Sequence, residues 1–276
     1  MPLIAITREM GSLGIEVAEQ VAAELKLPLI HHEIIEHLAD KMRVRKSHVE
    51  RLLDGKAGIL EKLTADKTSM SIYTAAETMD LAARDGGCVL RGWGAAQLLR
   101  TVPHAVCVRV CAPVELRKQR MLERLGSSDQ EFIDAEIKIS DEAHAAIIRR
   151  HFGVNWQDAE LYDLVFNTER VSVGECVEDV LKLVRSPAFA ETPASKIRLA
   201  DLKMAALIKS ALREHAPTRS VQISIEANDG AIALEGIVDS AGQRAEVERT
   251  VRGVAGVRAI ENRLRSRDDF KRKLVE

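Results

Sequence analysis

Two features of this 276-residue sequence could do chemistry: a glycine-bearing turn near the start and a row of arginines in the middle. The turn reads Arg8-Glu9-Met10-Gly11-Ser12-Leu13-Gly14. It follows a short apolar run, Leu3–Thr7, and precedes Val17, Ala18, Val21, Ala22 and Leu25 at helical spacing, so it joins a strand to a helix. Backbone amides at such a helix start can cradle an anion; the same glycines would equally serve to make the turn. Arg117, Arg120 and Arg124 recur at spacings of three and four, which places them on one helix face. Guanidinium groups arranged in this way can neutralise phosphate, while a solvated face balanced by Glu115 and Glu123 is the alternative. His31, His32, His37 and His48 lack ligand spacing and read as surface or turn residues. Cys88, Cys107, Cys111 and Cys176 show no CxxC pair and read as buried, reduced thiols. Trp156 and Tyr162 read as packing residues.

The elements that must position these side chains alternate between short strands and longer helices. Apolar runs predict strands at Leu3–Thr7, Leu27–Ile30, Cys88–Leu90, Ala105–Val110 and Leu161–Phe166. Helices are expected after the turn, over Glu33–Lys41 and through most of 47–84. Pro113 opens another that stops at Gly126, and a long charged one covers Asp129–Phe152. Ser172 and Glu175 form a capping box for a last helix, Val173–Arg185. This alternation implies a parallel sheet covered on both faces, with ligands at the carboxyl ends of the strands. The glycine turn, Gly92 and the arginines all fall at that edge.

Residues 186–197 are rich in small residues and Pro and read as a linker. A second pattern follows. It comprises a helix carrying Leu199, Leu202, Ala206, Ile208 and Leu212, a hairpin turning at Asn228-Asp229-Gly230, a helix over Gln243–Val254 and a strand over Val257–Leu264. The organisation is therefore residues 1–185, a linker at 186–197, and a small α-β-β-α-β module at 198–268.

Bulk composition narrows the function classes. A net charge of −2 gives no overall attraction to nucleic acid, and 3% aromatic content is too little for base-stacking platforms, so no DNA or RNA partner is expected. No apolar run approaches the roughly 20 residues of a transmembrane helix, and the N-terminal run is too short for a signal peptide. A cytoplasmic location is the simplest expectation.

Several ordered motifs resemble the bacterial cytidylate kinase-like family. They are Ile6-Thr7-Arg8-Glu9-Met10-Gly11-Ser12, Gly92 with Gly94-Ala95, and Glu115-Leu116-Arg117 with Arg120-Met121 and Glu123-Arg124-Leu125-Gly126. They continue with Ser140-Asp141, Ile147-Ile148-Arg149-Arg150, Phe152-Gly153-Val154 and Leu161–Thr168. Residues 198–266 resemble a BON domain, through Gly230, Leu234, Gly236, Val238, Gly253, Gly256 and Val257. The resemblance implies an α/β fold with a P-loop kinase-type, parallel five-stranded sheet flanked by helices, plus a small α+β BON-like domain. It also implies ATP-dependent phosphoryl transfer to a nucleoside monophosphate, with ATP and Mg²⁺ as cofactors and the C-terminal BON module serving binding or regulation.

Carried onto this chain, the resemblance makes Arg8, Gly11, Ser12 and Gly14 the donor-phosphate residues and Arg117, Arg120 and Arg124 the catalytic lid arginines. Arg91, Asp141, Arg149 and Arg150 would bind the acceptor. The chain departs from the family at several points. The usual Gly-Ser-Gly-Gly-Arg is Gly11-Ser12-Leu13-Gly14-Ile15, with no lysine on the loop; Gly-Arg-Gly is Gly92-Trp93-Gly94; His32 stands for Asp; and His144 stands for Arg. These departures keep open a second reading, a catalytically silent nucleotide sensor. The BON module, with Arg244, Arg249, Arg252, Arg258, Arg263, Arg265 and Arg267, would then bind a protein or phospholipid partner; an ordinary charged exterior accounts for the same residues.

Overall fold

The computed structural model describes residues 1–53, 66–92 and 94–268, apart from the side chains of His32, Glu33, His37, Leu52, Leu53 and Lys67. By its contacts the chain forms two compact units. The first takes Met1–Asp66 and Arg84–Thr192; the second takes Lys67–Ala83 and everything from Pro193 on.

In the first unit, strands β1 (Leu3–Arg8), β2 (Leu29–Ile30), β3 (Cys88–Arg91), β4 (Ala105–Cys111) and β5 (Leu164–Asn167) form one sheet in the order β2-β3-β1-β4-β5, all parallel. The two central strands are nearly continuous apolar runs because both of their faces are covered. On one face, Ile4, Ile6, Val106, Val108 and Val110 meet Val17, Ala18 and Val21 of α1 (Gly14–Leu25). Cys176, Val177 and Val180 of α8 (Val173–Val184) complete that core. Between these elements run α2 (His32–Met42), α3 (Lys46–Leu53), α5 (Ala95–Leu99), α6 (Val114–Leu125) and α7 (Gln130–Phe152). The predicted capping box at Ser172 is present, with both reciprocal bonds to Glu175.

The second unit packs α4 (Lys67–Ala82) against α9 (Pro193–Glu214). Arg213 Nε donates to Ser69 Oγ at 2.6 Å, and Lys203 pairs with Asp80 at 2.8 Å. The helices α9 and α10 (Ala241–Arg252) supply Ile208, Leu212, Val247 and Val251 to the core of a three-stranded sheet. Its order is β6 (Ile223–Asn228), β7 (Ala231–Val238), β8 (Ala259–Ser266). Asp229 and Gly230, at φ 44 and 80, make the two-residue turn between β6 and β7, where both central residues must be left-handed.

The sequence-based expectations need correcting in three places. The stretch read as a linker contains a 3-10 turn, Pro187–Phe189, and from Pro193 it is already helix, because a proline at the first helical turn forfeits no hydrogen bond. The last strand of the large sheet begins at Leu164 rather than Leu161. Tyr162 Oη donates to the Trp156 carbonyl at 2.7 Å and the Asp163 amide donates to Cys107, so the chain is still folding back before it joins the sheet. The helix Lys67–Ala82, which the linear partition put in the first domain, belongs by its contacts to the second unit. Residues 54–65 of the expected helical stretch lie outside the described residues.

Candidate functional site

The turn after β1 closes on itself. The Ser12 amide donates to the Glu9 carbonyl, and the buried Ser12 hydroxyl shares its proton between the carbonyls of Glu9 (2.8 Å) and Val110 (3.0 Å). That hydroxyl therefore belongs to the turn. Leu13, at φ 62, carries the chain into α1 with no side-chain cap on the helix start. The first-turn amides, at the positive end of the helix dipole, thus receive no cap from the residue that precedes them.

Beside this helix start lies a cleft of about 370 Å³, lined by Arg8, Glu9, Gly11, Leu13, Gly14, Ile15 and Glu16 from the turn and by Arg120, Met121, Glu123 and Arg124 from α6. Of the residues expected to act, the fold brings Arg8, Gly11, Gly14, Arg120 and Arg124 to this one place. Arg120 is held by Thr168 just past β5: Nη1 donates to the hydroxyl at 2.9 Å and Nη2 to the carbonyl at 2.8 Å. The same hydroxyl donates to the Ser12 carbonyl at 2.9 Å, tying turn, helix and sheet edge together.

The remaining expected residues stand elsewhere. Arg117 is buried and fully engaged. It makes a bidentate pair with Asp141 at 2.8 and 3.2 Å, donates from Nε to the Ala112 carbonyl at 3.1 Å, and lies 3.5 Å from the Glu9 carboxylate. Asp141 is thereby occupied by Arg117. Arg91 ends β3, and its carbonyl lies 3.3 Å from His31 Nδ1, a bond that needs the Nδ1–H tautomer. Arg149 and Arg150 are exposed in the last turn of α7 and do not line the cleft. Trp93 lies outside the described residues.

Beneath the cleft is a polar layer that sequence reasoning missed. Glu9, buried, accepts from Arg109 Nη2 at 2.7 Å and from the Ala112 amide at 3.3 Å. The Arg109 guanidinium carbon lies 5.3 Å from the centre of the Trp156 ring, and the His144 ring packs against the same Trp156, tilted by 34° with the ring centres 4.4 Å apart. Burial first, then the charges of Arg8 and Arg109, pushes the His144 imidazole down to about 4. A signal was available: Arg109 is the one charge in the run Ala105–Cys111, and a charge in a doubly covered strand must find a partner. Cys88 and Cys107 sit in the same sheet, and burial holds both thiols up at about 12.

Residues 3–170 match the family model of the cytidylate kinase-like family, which is more than half of the chain. The chain belongs to this family. Residues 200–268 match the BON domain model. The cytidylate kinase of Pyrobaculum arsenaticum is 28% identical over 179 residues, covering 64% of this chain and 89% of its own length. The osmotically-inducible protein Y of Escherichia coli is 32% identical over 68 residues, 25% of this chain and 34% of its own. Among solved structures, an uncharacterized protein from Eubacterium ventriosum superposes with a TM-score of 0.51 at 21% identity, covering 67% of this chain and 99% of that one, which bears on the fold alone. Membership in the cytidylate kinase-like family supports a kinase-type function.

Proposed function

We propose that the first unit transfers the γ-phosphoryl group of ATP to a nucleoside monophosphate, with a cytidine monophosphate as the first candidate acceptor. The observation that carries this reading is the meeting of an uncapped helix start with Arg8, Arg120 and Arg124 around one cleft. Such a site suits a polyphosphate: amides and guanidinium groups converge, and the volume lies in the range of small-ligand pockets. When bound, ATP would supply an electrophilic γ-phosphorus, with ADP as the leaving group. The protein's part is positioning and charge stabilisation. The first-turn amides and Arg8 hold the donor phosphates. Arg120, preset by Thr168 and with donors to spare, and Arg124 stabilise the charge that spreads over the migrating group. Arg117 acts one step back by fixing α6 to α7 through Asp141. Arg91, Arg149 and Arg150 remain the proposed acceptor contacts.

The residues present do not fit the metal contact of a standard phosphate loop. That loop offers Mg²⁺ a Ser or Thr hydroxyl; here Ile15 stands at that place and the Ser12 hydroxyl points into the turn. Among the described residues no group of three His, Cys, Asp or Glu side chains could hold a metal ion. The same loss favours the second reading, a family member that binds nucleotide without turning it over.

The BON module's role is proposed as intrachain support of the arm between β2 and β3, with a protein partner in second place. Five of its arginines, Arg249, Arg252, Arg258, Arg263 and Arg267, are each paired with a carboxylate of the module itself. That neutralised surface removes the main support for anionic phospholipid.

The test is ATP consumption by the full chain against CMP, dCMP, UMP, AMP and GMP. ADP formation that depends on one monophosphate and is lost in Arg120→Ala supports the kinase. ATP binding with no turnover supports the silent sensor, and absence of both contradicts each reading.

A further inference from the structure

A surface helix ordinarily turns one apolar stripe inward and keeps its opposite face polar. The 23-residue helix α7 departs from this. Ile133, Ile137 and Ile148 form its inner face and are at most 2% exposed. On the opposite side, Phe132, Ala135, Ile139 and Ala146 recur at spacings of three, four and seven, which lines them up along one face. Phe132 is 51% exposed and Ile139 38%, and both alanines are exposed as well. Glu142, the polar residue in that row, lies 4.0 Å from Lys138 one turn earlier. The helix is therefore apolar on two faces, and the chain covers one of them.

The outer row has a centre. Phe132 and Ala146 lie at equal distances in sequence on either side of Ile139, and so do Ala135 and Ala143. A second α7 laid antiparallel on the first, about a twofold axis passing Ile139, sets each Phe132 over the other copy's Ala146, large against small. The charges select the same direction. The helix starts acidic, with Glu131 in its first turn, and ends basic, with Arg149, Arg150 and His151 in its last. Parallel copies would bring like ends together, whereas antiparallel copies bring each acidic end to the other's basic end. Five full turns separate Glu131 from Arg149, so both flank the row on the same side, as a twofold pair requires. Among the described residues neither of them has an ion-pair partner within the chain.

We propose that α7 is the interface of a homodimer, paired antiparallel with α7 of a second copy around Ile139. This pairing uses the outer face of the helix alone and is independent of the kinase reading. The inner face keeps its own tasks: Asp141 holds Arg117, and His144 packs on Trp156. Dimer formation therefore braces the helix that carries both without altering what lines the cleft. One helix per copy makes a small contact, so a reversible dimer at micromolar concentration is expected.

The experiment is sedimentation equilibrium of the full chain across micromolar concentrations, without nucleotide, so the acceptor role proposed for Arg149 does not enter. The parent is expected to approach the dimer mass as concentration rises. Ile139→Glu sets two like charges at the axis and is expected to weaken association at least about tenfold with an unchanged circular dichroism spectrum. Glu131→Arg and Arg149→Glu are each expected to weaken it about three- to tenfold. Both changes in one chain recreate the two pairs with their signs exchanged, and association is expected to return. A parent that stays monomeric throughout overturns the proposal. A dimer indifferent to Ile139→Glu has its contact elsewhere, and overturns it as well. A double exchange no stronger than the single changes overturns the antiparallel pairing. If Ile139→Glu does not fold, the charge exchange, confined to exposed side chains, decides the matter.

Discussion

Leu13 shows what one residue does to this loop. Its φ of 62 puts a branched side chain in a conformation that costs an L residue about 1–2 kcal/mol, where the family carries glycine. Leu13→Gly is therefore expected to raise unfolding free energy by about 1 kcal/mol, less the extra chain entropy of glycine; denaturant titration showing a loss would contradict the strain. His144 gives a pH dependence whose sign can be worked out. Its folded value of about 4 lies below the ordinary 6.5, so between these limits the unfolded chain binds more protons. Stability should therefore fall as pH drops from about 6.5 to 4, by on the order of 3 kcal/mol over the window. His144→Gln should flatten that limb, and an unchanged slope would remove His144 as its source. At this scale the sequence was legible where chemistry has a motif. Gly11, Gly14, Arg120 and Arg124 could be picked out by spacing and resemblance. Glu9 and Arg109 could not be paired, because their positions are about a hundred residues apart and only the β1–β4 register brings them together.

The elements inherit their order from these residue contacts. The helices α6 and α7 are joined by the buried Arg117–Asp141 pair and the more exposed Lys118–Asp134 pair. Asp141→Ala would leave the buried guanidinium short of its main partner, and a loss of about 3 kcal/mol is expected. A loss under about 0.5 kcal/mol would mean that Glu9 alone suffices. Helix starts were easy to read because caps are local: Ser172 with Glu175 and Asp129 all act within one turn. Strand ends were harder. The run Leu161–Phe166 reads as one strand despite Asp163, yet Tyr162 turns back to Trp156, a choice made by a tertiary hydrogen bond. The short helix Ala95–Leu99 carries too few residues for any periodicity to show.

On the scale of the whole molecule, the chain does not pass once from one unit to the other. It leaves the first after Asp66, lays Lys67–Ala83 into the second, and returns at Arg84. No linear reading could anticipate this, because α4 looks like any amphipathic helix until α9 is beside it. Its buried face includes Met70, Tyr73 and Ala76. A chain ended at Thr192 is accordingly expected to melt lower than the full chain and to bind hydrophobic dye through that stripped face. Equal melting temperatures would show the module to be a detachable accessory.

In the proposed kinase reading, phosphate sits at the start of α1. This placement is tested most directly by hydrogen–deuterium exchange of the full chain with and without ATP, read at the amides of residues 11–17. Exchange is expected to slow there and in the segment carrying Arg120 and Arg124, and the slowing to be lost again in Arg8→Met. ATP that binds while leaving the exchange of residues 11–17 unchanged would contradict it.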